Sequence, residues 1–204
     1  MTPLGDLDGD GVGDMAVQTH ADDGGSDTGA VIVCFLTSMG NLSAHARISA
    51  TSGNGPPLEP RDTEWSELAG MGDLDGDGVP DLALGARQDD DGGSNAGAVW
   101  MLFLNVTGEV KNSAKISQTT PGSGCPPLNT QDLFGHGVGL LGDVDNDGVT
   151  DLAVGARGDD TGCSDCGAVY VMFLSTTGTS ARSYTRISRT SGGGISGLTE
   201  SYFG

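Results

Sequence analysis

Basic residues are scarce in this chain: nine Lys and Arg stand against 28 Asp and Glu in 204 residues, a formal net charge of −19. That balance excludes a basic patch for nucleic acid or for an anionic membrane surface. Aromatics are few as well, at five Phe, three Tyr and two Trp. No run approaches 18 apolar residues, which leaves nothing to span a bilayer as a helix. No helical periodicity of 3.6 is visible anywhere. Even the acid is one-sided, since Glu occurs at 59, 64, 67, 109 and 200 and every other acidic residue is Asp. Solvated helices favour Glu, whereas turns and oxygen-lined ion sites favour Asp. The charge therefore belongs to loops. Hydrophobic residues still make up 36% of the chain, in short runs, which argues for a folded domain rather than disorder.

What is abundant is glycine, 36 residues of it, and the glycines recur in register. GDLDGDGVGD begins at Gly5, GDLDGDGVPD at Gly72 and GDVDNDGVTD at Gly142, spacings of 67 and 70. A Gly-Ala-Val run follows at Gly29, Gly97 and Gly167, then Phe-Leu at Phe35, Phe103 and Phe173. ARIS, AKIS and TRIS close the units at Ser49, Ser117 and Ser188, each followed by a polar Gly/Ser/Thr/Pro connection such as 119–127. Short apolar strands start at Met15, Leu82 and Leu152, directly behind each acidic stretch. Residues 31–36, 99–104 and 169–174 are apolar on both faces, as in strands held between neighbouring sheets. A weaker strand is expected near 134–141. Four short strands per unit and glycine-rich turns predict an all-β fold of propeller blades, each of four antiparallel strands.

The expected organisation is a partial blade with its connection over 1–64, blades over 65–132 and 133–201, and the start of a fourth unit at 202–204, where Phe203-Gly204 matches Phe134-Gly135. The first unit is expected to lack its opening strand, and the second to be one residue shorter between Trp65-Ser66 and its acidic loop. About three blades make an open arc with an apolar face at each end, which predicts self-association of those faces.

The acidic stretches carry the chemistry. Asp6, Asp8, Asp10 and Asp14 stand at positions 1, 3, 5 and 9 of a loop, and four carboxylates so close repel unless a cation sits among them. Gly11 permits a sharp turn at position 6, and the Val12 carbonyl at position 7 can face inward. Asp73, Asp75, Asp77, Val79 and Asp81 repeat the set, as do Asp143, Asp145, Asp147, Val149 and Asp151. Hard oxygen donors in a flexible loop suit Ca²⁺, which predicts three calcium sites. An EF-hand needs Glu at position 12. Val17, Leu84 and Val154 occupy it here, within strands, so these are hairpin loops closed by Asp at position 9.

The order Phe-Gly, Asp-x-Asp-x-Asp-Gly-x-x-Asp, Gly-Ala, Gly-Ala-Val-Tyr resembles the FG-GAP repeat of integrin α-subunit β-propellers over essentially the whole chain. The third unit matches best, through Phe134-Gly135, residues 143–151, Gly155-Ala156 and the run from Gly167 to Tyr170. The first unit departs with Gln18-Thr19-His20 in place of Gly-Ala-Arg, and Arg87 and Arg157 replace the family's proline. The resemblance implies a calcium-binding, extracellular or cell-surface, non-enzymatic adhesion module that offers loops to a protein or glycan ligand. Its rival is an accessory propeller on a secreted hydrolase similar to glycosylphosphatidylinositol-specific phospholipase D.

Other motifs are weaker. Cys163 and Cys166 form a CxxC in an acidic turn, as a local disulfide or as free thiols, with no second pair for zinc. Cys34 aligns with Leu102 and Met172 as a buried apolar residue, and Cys125 lacks a partner. Arg157-Gly158-Asp159 spells an adhesion tripeptide, although Arg87-Gln88-Asp89 at the same place assigns it to the repeat's own turn. Asn41 and Asn105 begin N-glycosylation sequons. His20, His45 and His136 fall at unrelated positions and form no nucleophile–base pair.

Overall fold

The computed structural model describes residues 1–19, 29–63, 66–161, 163–164, 166–194 and 203–204. His20, Trp65 and Tyr202 lie outside the described residues. Among the described residues twelve strands form three antiparallel four-stranded sheets, none of them closed. The first holds β1 (Thr2–Gly5), β2 (Asp14–Thr19), β3 (Ala30–Leu36) and β4 (Leu42–Ile48). The second holds β5 (Leu68–Gly72), β6 (Asp81–Ala86), β7 (Ala98–Leu104) and β8 (Val110–Ile116). The third holds β9 (Phe134–Gly142), β10 (Asp151–Ala156), β11 (Ala168–Leu174) and β12 (Ala181–Ile187). Within each sheet the strands follow chain order, as in propeller blades. Strand β1 adjoins β5, and β5 adjoins β9, so the first strands converge while the fourth strands splay to the periphery.

Burial follows position in the arc. Every residue of β7 is buried, because the second blade is covered on both faces. Val31, Val33 and Phe35 pack on Leu82, Leu102 and Leu104 in one core, and Met101 and Phe103 pack on Leu152, Tyr170 and Met172 in the other. In β3 and β11 burial instead alternates, leaving Ile32, Cys34 and Leu36, and Val169, Val171 and Phe173, half-buried on the two outer faces. Cys34 is therefore not the buried residue its alignment suggests. The preceding blade covers Leu102 and Met172, whereas among the described residues no blade packs on the side of the first sheet that carries Cys34.

Two further expectations are corrected. The first unit keeps an opening strand: β1 pairs with β2 through Thr2↔Ala16 and Pro3↔Met15, because four residues suffice once Leu4 is buried. The second unit is not shorter before its loop. Leu68 pairs with Leu84 as Val138 pairs with Val154, and Ser66 N–H donates to the Thr63 carbonyl as His136 N–H does to that of Leu133. Ser66 thus takes the place of His136.

Successive blades interlock through the recurring glycines. Phe134 N–H donates to the Ala96 carbonyl at 3.0 Å, and Phe203 N–H donates to that of Cys166 at 3.0 Å. Phe134-Gly135 thereby lies across the second blade at Gly85 and Gly97, where a Cβ on Gly97 would fall 2.8 Å from the Phe134 carbonyl carbon. Gly204 stands against Ala156 and Ala168 as Gly135 stands against Ala86 and Ala98.

Candidate metal centres

The three acidic loops join the first two strands of each blade, and one hydrogen-bond pattern shapes them. The position-1 carboxylate gathers backbone donors: Asp6 accepts from Gly9 and Gly11, Asp73 from Gly76, Asp77 and Gly78, and Asp143 from Asp147 and Gly148, all at 2.8–3.1 Å. Position 6 needs the left-handed backbone, with φ of 86°, 88° and 87° at Gly11, Gly78 and Gly148, which glycine adopts without steric cost. The position-5 carboxylates of Asp10, Asp77 and Asp147 accept from the N–H of Val12, Val79 and Val149 at 2.8–2.9 Å.

Position 9 is different in kind. Asp14, Asp81 and Asp151 are buried at the head of the second strand. Asp81 accepts from Leu74 N–H at 2.8 Å with one oxygen and from Leu104 N–H at 2.9 Å with the other, tying the loop to β7. Asp14 does the same with Leu7 and Leu36, and Asp151 with Val144 and Leu174. Burial pushes the Asp81 carboxyl up to about 6, against the pull of those two donors.

Carboxylate oxygens of Asp73, Asp75 and Asp81 lie within 4.8 Å of one another, as do those of Asp143, Asp145 and Asp151. In the first loop the trio is Asp6, Asp8 and Asp10, and Asp14 stays outside it. Asp77 and Asp147 are likewise outside the trios and pair with basic side chains of the fourth strands. All these donors are hard oxygens, and each carboxylate oxygen keeps a lone pair beyond its backbone bond, so the set fits a Ca²⁺ ion completed by main-chain carbonyls or water.

The model of the FG-GAP repeat matches residues 68–102 and 134–172, the two spans that run from the first strand through the loop into the third strand. The chain belongs to the integrin-like FG-GAP repeat proteins. It is 30% identical over 155 residues to Integrin alpha-PS5 of Drosophila melanogaster, covering 75% of this chain and 14% of that protein. With Integrin alpha-PS3 of the same organism it shares 28% over 153 residues, 74% of this chain and 12% of the relative. With Integrin alpha-PS2 it shares 40% over 92 residues, 44% of this chain and 6% of the relative. The chain thus spans about one-eighth of the length of the first two relatives.

In this FG-GAP chain the adhesion tripeptide is not on display. Asp159 is 2% exposed and accepts from Tyr170 Oη at 2.7 Å and from Thr161 N–H at 2.7 Å. Gly158 N–H donates to the Asp132 carbonyl at 3.0 Å. The triplet is a structural turn. Cys163 and Cys166 are bridged, with Cα atoms 5.5 Å apart, within the usual disulfide range. Cys125 is half-buried, and burial pushes its thiol up to about 12, away from reactivity. Asn41 is exposed, whereas Asn105 Oδ1 organises its own turn by accepting from Thr107 and Glu109 N–H.

Sequence reasoning passed over four residues that the structure brings forward. Lys111 and Arg182 reach the loops from β8 and β12, and their signal was a basic residue in the same register of the fourth strands of the second and third blades. Asp62 and Asp132, 70 residues apart, are 5% and 2% exposed and cap the turns before their blades by accepting from Glu59 and Asn129 N–H. Burial pushes both carboxyls up to about 6, with the Asp89 charge adding to Asp62 and the Asp159 charge to Asp132. A proton bound more tightly by the folded than the unfolded chain stabilises the fold at low pH, and that contribution is lost as pH rises from about 4 to about 6. Asp62→Asn keeps an acceptor for Glu59 and removes the charge. Relative to the wild type it should gain of order 1–3 kcal/mol between pH 4 and pH 7, read by urea unfolding at each pH. A difference independent of pH would contradict this.

Proposed function

We propose that the chain is a calcium-binding extracellular β-propeller module that stiffens its blades with three ions and presents loops to a protein or glycan ligand. It acts in adhesion, as an integrin α-like module and not as an enzyme. The observation that carries the reading is the threefold recurrence of one oxygen-lined loop, in one hairpin of each blade, with the same backbone clamp at position 9. The ligand sets are Asp6, Asp8, Asp10, Asp14 and the Val12 carbonyl, then Asp73, Asp75, Asp77, Asp81 and Val79, then Asp143, Asp145, Asp147, Asp151 and Val149. The homology to integrin α chains supports the adhesion role and a cell-surface setting. Among the described residues no helix is long and apolar enough to cross a membrane. The half-buried end faces of β3 and β11 are the surfaces through which the arc associates, with further blades or with a second copy.

Calcium titration tests the reading. Affinities of ~10⁻⁴ to 10⁻³ M are expected, as in other extracellular modules. At a tenfold excess over Kd each ion adds about 1.4 kcal/mol, which raises Tm by roughly 3–5 °C, and chelator reverses the gain. Asp75→Ala should remove the share of loop two. Asp90→Ala, in the β6–β7 turn, should leave the shift intact. No uptake at millimolar calcium, or equal losses in the two variants, would overturn the assignment.

A further inference from the structure

The three loops differ in one respect that follows from the fourth strand of each blade. The pairs Leu36↔Leu42, Leu104↔Val110 and Leu174↔Ala181 occupy the same place in the three sheets, each beside a bulge. The next residues are therefore equivalent: Ser43, Lys111 and Arg182. Lys111 Nζ lies 2.9 Å from an Asp75 oxygen and also pairs with Asp77. Arg182 lies 2.7 Å from Asp147 and also pairs with Asp145. Both cations thus join the carboxylates at positions 3 and 5 of their loops. Ser43 instead donates its hydroxyl to the Phe35 carbonyl at 3.0 Å, and among the described residues no ion pair involves Asp6, Asp8 or Asp10.

We propose that Lys111 and Arg182 are built-in counter-cations that set loops two and three to a weaker calcium affinity than loop one, where Ser43 leaves the carboxylates to the ion alone. The inference rests on the calcium reading above and deepens it by ranking the sites. The ammonium and the guanidinium occupy the oxygens that an entering ion needs, so calcium must displace them or bind beside them. A divalent ion about 5 Å from a fixed positive charge in a water-like dielectric loses roughly tenfold in affinity. Exposed ion pairs add little to folding stability, so these cations act chiefly on ion binding. Loop one is then filled first as calcium rises, and loops two and three report higher concentrations.

The test is calorimetric titration of the full chain with CaCl₂, beside Tm in chelator. In an Asp8→Ala, Asp145→Ala background, loop two is the one intact loop. Adding Lys111→Met should tighten its Kd about tenfold, while Lys111→Arg, which keeps the charge, should leave it near the starting value. In an Asp75→Ala, Asp145→Ala background, Ser43→Lys should weaken loop one about tenfold. Tm in chelator should shift by no more than about 2 °C in each case. If calcium binds but Lys111→Met and Ser43→Lys leave Kd unchanged, the counter-cation role is wrong and the calcium reading stands. If no variant and no parent takes up calcium, both fall.

Discussion

Gly85→Ala should destabilise the fold by at least ~3 kcal/mol, while Gly139→Ala should be close to neutral. Both glycines lie within strands, β6 and β9, and neither has a backbone conformation reserved for glycine. They differ in surroundings. A Cβ on Gly139 meets nothing within 4 Å, whereas one on Gly85 would stand 3.0 Å from the Gly135 carbonyl carbon and closer still to its oxygen. That carbonyl cannot give way cheaply, because Phe134 is fixed by its bond to Ala96 and Gly135 is itself wedged 3.1 Å from Ala86 N on the same measure. Insertion of one methyl therefore separates two blades rather than displacing one side chain, which places the cost at or above the usual range for overpacking. Replacing Gly139 by Ala also restricts the unfolded chain, which offsets part of any loss. Equal midpoints in urea for the two variants would show that the interlock is not where successive blades are held together.

This contact explains what the repeat motif is for, and it was not legible in the sequence. The glycines of Gly85-Ala86, Gly97-Ala98 and Phe134-Gly135 were visible as punctuation, but the sequence does not say that the Phe-Gly of one unit is seated on the Gly-Ala pairs of the unit before. What was legible had a local cause. Alternating apolar residues and glycine-rich turns fix strands such as residues 151–156 and 168–174 through their own neighbours, and the spacing of aspartates fixes the loop whatever surrounds it. Burial is not local. Cys34 and Met172 read alike in sequence and differ because one lies on an end face of the arc and the other between blades. The Arg-Gly-Asp triplet reads as the repeat's own turn, but the burial of Asp159 beneath Tyr170 is not visible in that spacing. Pairing across a sheet is equally hidden, and Lys111 meets Asp75 only because β8 returns alongside β7.

The position-9 aspartates have a second role that the ligand pattern does not suggest, and Asp81→Ala isolates it. The side chain is fully buried, and its two oxygens accept from the N–H groups of Leu74 and Leu104, both buried residues. Truncation leaves two backbone donors without partners in a site too closely packed for bulk water. Each orphaned donor costs about 1–3 kcal/mol, so a loss of ~3–5 kcal/mol is expected, in chelator as well as in calcium. Asp81→Asn should fall between: its one carbonyl oxygen serves one donor, and its amide group faces the other N–H with hydrogens of its own. Asp75→Ala makes the contrast. Its side chain is 29% exposed and pairs with Lys111 near the surface, so its loss should leave ion-free stability within about 1 kcal/mol and reduce the calcium increment alone. Urea unfolding of the three variants, with and without chelator, separates the two roles. A pure ligand role for Asp81 would make its variant indistinguishable from wild type once calcium is removed. A clamp that holds the loop on β7 makes the loss persist there, and Asp151→Ala should repeat it through Val144 and Leu174 in the third blade.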